Sequence, residues 1–308
     1  MKTILLLALF ITVAHGWSLA DLFGFGVKPM EYLYAAQEGD LRTVQKYIES
    51  SKDINFKDDK GRTALSVAIY NDKQSVVRAL LEHGVNMSVE SNGTPSPLEI
   101  AVMRDNVAIA RDLLEHGINA NEKTTEFSPL TLAVLRNGSV SMVKTLLEHK
   151  SDPNFTIKGF SPLIFAIRRG KESIAKLLIE NQADVHAKTL DGLNALLTAI
   201  DLGNENIARS LIQHGADVNF VGPKGYTPLM VAALHGNASI IRFLIESGAR
   251  ISDRNVDGDR AIELAQRNGI IHRSFSKINQ VFFKFDCDQL YRFRLPQRCR
   301  IAAKFIID

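Results

Sequence analysis

The chain has 308 residues, of which 45% are hydrophobic and 23% charged, with 20 Gly and 9 Pro. Those fractions match ordinary globular domains and exclude disordered, collagenous and membrane-bundle compositions. Lys+Arg of 37 against Asp+Glu of 34 leaves +3, too little for a whole-chain attraction to nucleic acid. The only cysteines are Cys287 and Cys299, so neither a disulfide framework nor a cysteine-built zinc site can hold the body together.

Residues 1–16 read as a secretory signal peptide. Lys2 precedes an apolar run from Ile4 to Ala14, broken only by Thr12, and Ala14-His15-Gly16 puts small residues before Trp17. The run is shorter than the roughly 17–25 residues that cross a bilayer, so it is not an anchor. No later stretch is long and apolar enough to span a membrane. The mature chain is expected to start at Trp17, in a secreted, extracellular protein. Residues 17–29 form a lead-in, and Gly24-Phe25-Gly26 within it follows no strand, so it is a flexible start rather than a dinucleotide loop.

From there a Leu-x-x-Ala pattern repeats at Leu33, Leu65, Leu98, Leu130, Leu163, Leu196 and Leu229, then as Ile262-x-x-Ala265. Successive steps are 32 or 33 residues, the signature of a stacked-repeat architecture. About fifteen residues beyond most of these leucines stands a second apolar pair, such as Leu80-Leu81, Leu146-Leu147 and Leu244-Ile245. Apolar residues three or four positions earlier put each pair on one helix face. Each unit is therefore two short helices and a polar loop.

The joints carry further detail. Ser96-Pro97, Ser128-Pro129, Ser161-Pro162 and Thr227-Pro228 precede first helices. There the hydroxyl satisfies a free amide, and proline has no amide to lose. His83-Gly84, His116-Gly117, His214-Gly215 and Ser247-Gly248 close second helices, with glycine free to take the left-handed cap. Asp53-Ile54-Asn55, Asp152-Pro153-Asn154 and Asp217-Val218-Asn219 follow, with a glycine two residues before the next Ser or Thr. In register over residues 30–270, this pattern closely resembles the ankyrin repeat. The resemblance implies an all-α repeat solenoid: about eight helix-turn-helix units with β-hairpin or loop fingers, the first and last acting as caps.

Three departures stand out. The first unit lacks the Ser/Thr-Pro start, and the last has Arg260-Ala261-Ile262. The fourth has one extra residue at Asn137-Gly138-Ser139, and the third has Gly93-Thr94-Pro95 in its finger. Beyond the repeats, residues 271–308 form a basic aromatic tail or cap. Counted from Arg267 it holds nine basic and three acidic residues; with Lys2 of the leader also set aside, the repeat body keeps 27 basic and 31 acidic, or −4. Such asymmetry marks an interaction element.

Catalytic patterns are absent: no Gly-x-Ser-x-Gly elbow, no His-Glu-x-x-His and no Walker-type loop occur. His83, His116, His149 and His214 share one position just before the second helix ends, where they can bond terminal carbonyls and favour the dipole. One per repeat is too dispersed for a metal site. The chain is expected to be non-enzymatic, without cofactor or metal, and monomeric.

The resemblance also implies where a protein partner would bind: the fingers, and two exposed positions near the end of each first helix. Here those positions include Tyr70 and Asn71, Met103 and Arg104, Leu135 and Arg136, Arg168 and Arg169, Asp201 and Leu202, Leu234 and His235, and Arg267 and Asn268. Arg104, Arg136, Arg168 and Arg169 form a basic row with apolar neighbours, a composition suited to a binding hot spot. Glycosylation sequons at Asn86, Asn92, Asn137, Asn154 and Asn237 fall in loops or turns and matter only on the secretory route. That route would also favour a bond between Cys287 and Cys299, closing a loop around Leu295-Pro296; the alternative is two buried thiols. The leading expectation is thus a secreted protein-binding scaffold with no nucleic-acid partner and no transmembrane segment. The rivals are an intracellular adaptor presenting a substrate, and a secreted effector whose basic aromatic tail acts on membranes.

Overall fold

The computed structural model describes residues 26–50, 52–88, 94–122, 127–136, 138–157 and 159–267. They form two compact units, one ending at Asp152 and the other starting at Pro153. The signal peptide, Asn92, Asn137, most of the third finger, the tail and both cysteines lie outside the described residues.

The first unit holds four helix pairs: α1 (Pro29–Glu38) with α2 (Leu41–Glu49), α3 (Ala64–Tyr70) with α4 (Gln74–Glu82), α5 (Pro97–Met103) with α6 (Val107–Glu115), and α7 (Pro129–Leu135) with α8 (Val140–Glu148). The second holds α9 (Pro162–Arg168) with α10 (Glu172–Glu180), α11 (Ala195–Asp201) with α12 (Glu205–Gln213), α13 (Pro228–Leu234) with α14 (Ala238–Glu246), and α15 (Ala261–Arg267). Within each unit first helices pack on first helices and second on second, α1 on α3 on α5 on α7 and α9 on α11 on α13 on α15. Among the described residues the fingers are turns, one of them a 3-10 turn at Pro223–Gly225, with isolated bridges at Ile157 with Phe160 and Lys188 with Asn194.

The Leu-x-x-Ala register is the core. Its leucines from Leu65 to Leu229 are at most 1% exposed, and the paired alanines from Ala36 to Ala232 are fully buried. Each buried leucine contributes on the order of 2 kcal/mol relative to exposure, and alanine lets neighbouring first helices approach closely. In the first repeat an aromatic pair fills the interior. Tyr32 and Tyr47 stack at 3.9 Å, and the Tyr32 hydroxyl donates to the Ile54 carbonyl at 3.1 Å. Burial, then the neighbouring Tyr47 and Asp53, pushes the Tyr32 phenol well above its ordinary range.

Caps appear where the sequence places them. Ser96, Ser128, Ser161 and Thr227 each accept the amide three residues on, and Asn194 does the same for α11 from Leu197 at 2.8 Å. The first repeat does begin on a proline, Pro29, with Lys28 ahead of it and Glu31 reaching back to the Lys28 amide at 3.5 Å. Its helix simply starts a turn earlier, with 10 residues against 7 in the other first helices. In the last repeat Glu263 accepts the Arg260 amide at 2.7 Å.

The four histidines sit one position beyond the predicted place, as the residue immediately after the helix. Each Nδ1 lies 2.7–2.9 Å from the carbonyl four residues back: Ala79, Asp112, Thr145 and Ser210. Asn181 fills the same place in its repeat, donating to the Leu177 carbonyl at 2.8 Å. These side chains satisfy carbonyls that the helix end leaves free.

Asparagines tie successive repeats together. Asn121 donates to the Lys150 carbonyl at 3.0 Å and accepts the Asp152 amide at 2.7 Å. In the second unit Asn154 grips Gln182 and Asp184, and Asn219 grips Gly248 and Arg250, in the same manner. Asp53, Asn119 and Asp217 hold the loops by accepting the amide two residues on.

One backbone position is locally unfavourable. The residue after the helix-end position held by His, Asn or Ser is glycine in four repeats (Gly84, Gly117, Gly215 and Gly248) but Lys150 and Gln182 in two others, both at φ 66°. A side chain in left-handed backbone costs roughly 1–2 kcal/mol. Replacing Lys150 or Gln182 with Gly is therefore expected to raise unfolding stability by about 0.5–1 kcal/mol, the relief exceeding glycine's extra unfolded-chain entropy. Urea denaturation with an unchanged slope checks this.

Candidate protein-binding surface

The turn from first to second helix sets the direction of the predicted binding residues. Its middle residue is left-handed at Asp72, Asp105, Gly170, Gly203 and Gly236, reversing the chain within three residues. In the fourth repeat α7 ends at Leu135 and α8 starts at Val140, one position further apart than the helices of the other repeats with this turn, as the sequence implies. Gly138 there lies against α7, where an added Cβ would stand 2.4 Å from the Ala133 carbonyl oxygen, so glycine is required.

In the first unit Tyr70 ends α3 with 62% of its surface exposed. The Arg104 guanidinium lies 5.4 Å from its ring centroid and bonds Asp72 at 2.7 Å. Asn106 donates to the other Asp72 oxygen at 3.0 Å, and the next turn aspartate, Asp105, accepts from the amide and hydroxyl of Ser139. Hydrogen bonds from Asn106 and then Arg104 hold the Asp72 carboxyl below its ordinary value. Arg104 is thus a bridging cation that positions Tyr70. Asn71 is half-buried and donates to the Val67 carbonyl. Met103 and Leu135 are half-buried, while Arg136 is exposed and has no ion pair among the described residues.

In the second unit Arg168 and Arg169 are both exposed; Arg168 lies 5.4 Å from the Phe160 ring centroid, and Arg169 has no ion pair among the described residues. Leu202 is exposed, Leu234 half-buried, and His235 Nε2 lies 3.2 Å from Asp201. Arg267 differs from its expected role. Both its terminal nitrogens lie 2.6 Å from Asp259, so its guanidinium serves the last finger.

Sequence reasoning missed an open cavity of about 850 Å³ in the first unit. The first finger supplies Lys57, Lys60 and Arg62, and the helices supply Gln37, Leu65 and Tyr70. The signal was there in the cation spacing 57, 60, 62, but which way that finger faces is set by the fold.

Three sequons are described, and they differ. Asn154 and Asn237 use both ends of the side-chain amide, in the clamp to Gln182 and Asp184 and in the cap of α14 with Glu205. Asn86 is exposed, its Oδ1 accepting from the amide and hydroxyl of Ser88, and its amide nitrogen is not so engaged. Among the described residues no three His, Cys, Asp or Glu side chains group as metal ligands, and no helix is long and apolar enough to cross a membrane.

Stacked helix pairs, hydroxyl-proline starts and looped fingers define a repeat scaffold of the ankyrin class. The family model "Ankyrin repeats (3 copies)" matches residues 32–124, 121–189 and 184–255. The chain belongs to the ankyrin-repeat family. It is 32% identical over 69 residues to the ankyrin repeat protein YahD of Escherichia coli (strain K12), spanning 22% of this chain and 34% of that protein. It is 40% identical over 70 residues to a 60 kDa lysophospholipase of Mus musculus, spanning 23% of this chain and 12% of that protein. The chain thus spans about a third or less of these relatives' length. The crystal structure of the ankyrin repeat domain of Bcl-3 shares the fold, with TM-score 0.58 and 23% identity over 72% of this chain and 98% of that one. Ankyrin repeats are protein-interaction scaffolds, and this class of function follows for the chain.

The lowered Asp72 carboxyl sets a pH expectation. Its stabilising contribution is full above the ordinary value of 3.8 and is lost as pH falls through the lower folded value. Asp72→Asn, which tolerates left-handed backbone, is expected to lower stability at neutral pH and to flatten the acid limb of the melting-temperature curve below about pH 4.

Proposed function

We propose that the chain is a secreted, non-enzymatic scaffold that binds a partner protein through its helix-end residues and fingers. The observation that carries this reading is Tyr70, largely exposed yet fixed by the Arg104 guanidinium on its ring and by the Arg104–Asp72 pair. An aromatic residue held open to solvent pays little entropy on binding and is the residue type on which interface energy concentrates. Arg136, Arg168 and Arg169 add exposed guanidinium groups at equivalent repeat positions. Secretion rests on the leader pattern of residues 1–16, with the sequons as secondary support.

Expression in a eukaryotic cell should release protein whose N-terminus is at or near Trp17. Retention in the cytosol with Met1 intact would instead favour the intracellular adaptor. For binding, Arg136→Glu, Arg168→Glu and Arg169→Glu together should leave melting nearly unchanged, each within about ±0.5 kcal/mol. The triple variant should lose the partner captured by the parent from extracellular fluid, and Tyr70→Ala should weaken capture in its own right. Undiminished capture by both variants would show that these residues are only solvated surface.

A further inference from the structure

Three of the five sequons fall on described residues, and the stack uses their asparagines differently. In the ties between repeats, an asparagine side chain grips the backbone of the following repeat. Asn121 accepts the Asp152 amide, Asn154 the Asp184 amide and Asn219 the Arg250 amide. Asn55 accepts the Asn86 amide in the same way, at 2.8 Å. Asn154 is thus a gripping residue, whereas Asn86 stands at the gripped position, where the tie needs only its backbone. Aspartate or arginine holds that position in the other ties, and the Arg250 side chain is exposed. The gripped position therefore takes a long side chain without disturbing the stack.

An N-linked sugar replaces one hydrogen of the asparagine Nδ2 with its C1 carbon. The amide keeps the trans arrangement of a peptide, which puts C1 opposite Cβ and beside Oδ1. At Asn154 that edge is in use. Nδ2 donates to the Gln182 carbonyl at 3.1 Å while Oδ1 accepts the Asp184 amide at 2.7 Å, and partners two residues apart keep to one edge of the amide. A sugar there removes the bond to Gln182 and forces the next repeat's loop away. At Asn237, Oδ1 accepts the Ile240 amide at 3.1 Å, and Nδ2 lies 3.4 Å from Glu205. The hydroxyl of its sequon, on Ser239, donates to the same carboxylate at 2.6 Å, so a sugar would part α14 from α12. Asn86 carries neither commitment. It is exposed, its Oδ1 accepts from the amide and hydroxyl of Ser88 within its own sequon, and its Nδ2 makes no hydrogen bond among the described residues.

Resting on the secreted reading, we propose that the folded protein carries an N-linked glycan on Asn86 and none on Asn154 or Asn237. The donor is an oligosaccharide carried on a lipid diphosphate. A bond forms between Asn86 Nδ2 and the sugar C1, and the bond from C1 to the diphosphate oxygen breaks. The lipid diphosphate leaves, and Nδ2 gives up one proton. Transfer takes place on the chain as it enters the lumen, before the repeats have stacked. The fold therefore does not direct the sugar; it decides which modified chains can complete their ties.

The test expresses the full chain in a eukaryotic cell, once with its own residues 1–16 and once with a proven secretory leader in their place. Peptide mass spectrometry reads site occupancy on folded, protease-resistant protein from both the medium and the cell lumen. With the proven leader, Asn86 should be occupied in most molecules and Asn154 and Asn237 in almost none. Asn86→Gln and Ser88→Ala should each lose the mass of one glycan. In protein made without sugar in bacteria, Asn86→Gln should melt with the parent. Asn154→Gln should melt several degrees lower, because it alone breaks a tie between repeats.

An empty Asn86 under the proven leader would overturn the proposal, as would a glycan on Asn154 or Asn237 in folded protein. An Asn154→Gln protein that melts with the parent would overturn it equally. The secreted reading fails separately: there, the chain's own leader leaves the protein in the cytosol while the proven leader still delivers it with Asn86 occupied.

Discussion

A helix of seven residues does not survive by itself in water, because nucleation costs more than so few hydrogen bonds return. Seven of the first helices described have that length, and six of them persist by burying the same two residues, a leucine and an alanine, against their neighbours. Leucine supplies apolar area, and alanine supplies the close approach that lets the area be shared. Every other feature of the fold assumes this contact. The Ser and Thr caps, the proline starts and the histidine ends shape the termini of helices that repeat-to-repeat burial has already made worthwhile.

Polar side chains then keep the repeats in register. Asn121, Asn154 and Asn219 bond the backbone of the following repeat, and Asp72 and Asp105 accept from side chains one repeat on. Each bond is modest, about 0.5–1.5 kcal/mol net, but each acts on a different joint. The helix-end residues inherit this rigidity. Tyr70 stays open to solvent because α3 ends beneath it and Arg104 holds its ring from the next repeat. A scaffold of this kind loses little freedom when a partner arrives.

The basic row read from the sequence separates into different roles in the structure. Arg104 is paired with Asp72 and covers a tyrosine, Arg168 covers Phe160, and Arg136 and Arg169 are exposed without an ion pair among the described residues. Met103, Leu135 and Leu234 are half-buried and so serve packing as well as surface, whereas Leu202 is open. Equal spacing in the chain gives equal position on the scaffold, but the charge each position offers depends on what the adjacent repeat places beside it.

The sequence by itself determined the repeat, its 32- or 33-residue step, the start of most first helices and the carbonyl-capping histidines. These depend on interactions within four residues or on a periodicity that any single repeat displays, so they can be read along the chain. Tertiary structure alone decided that Arg267 belongs to Asp259, that Asn154 is spent on the next repeat, and that Lys57, Lys60 and Arg62 share a wall with Tyr70. Even the early start of α1 at Pro29 escaped the pattern, because its cap is Lys28 with Glu31 rather than a hydroxyl. Most of these outcomes join residues from different turns, fingers or repeats. Sequence spacing says that such residues exist at equivalent positions, but only the packing of one repeat on the next fixes which side chain reaches which.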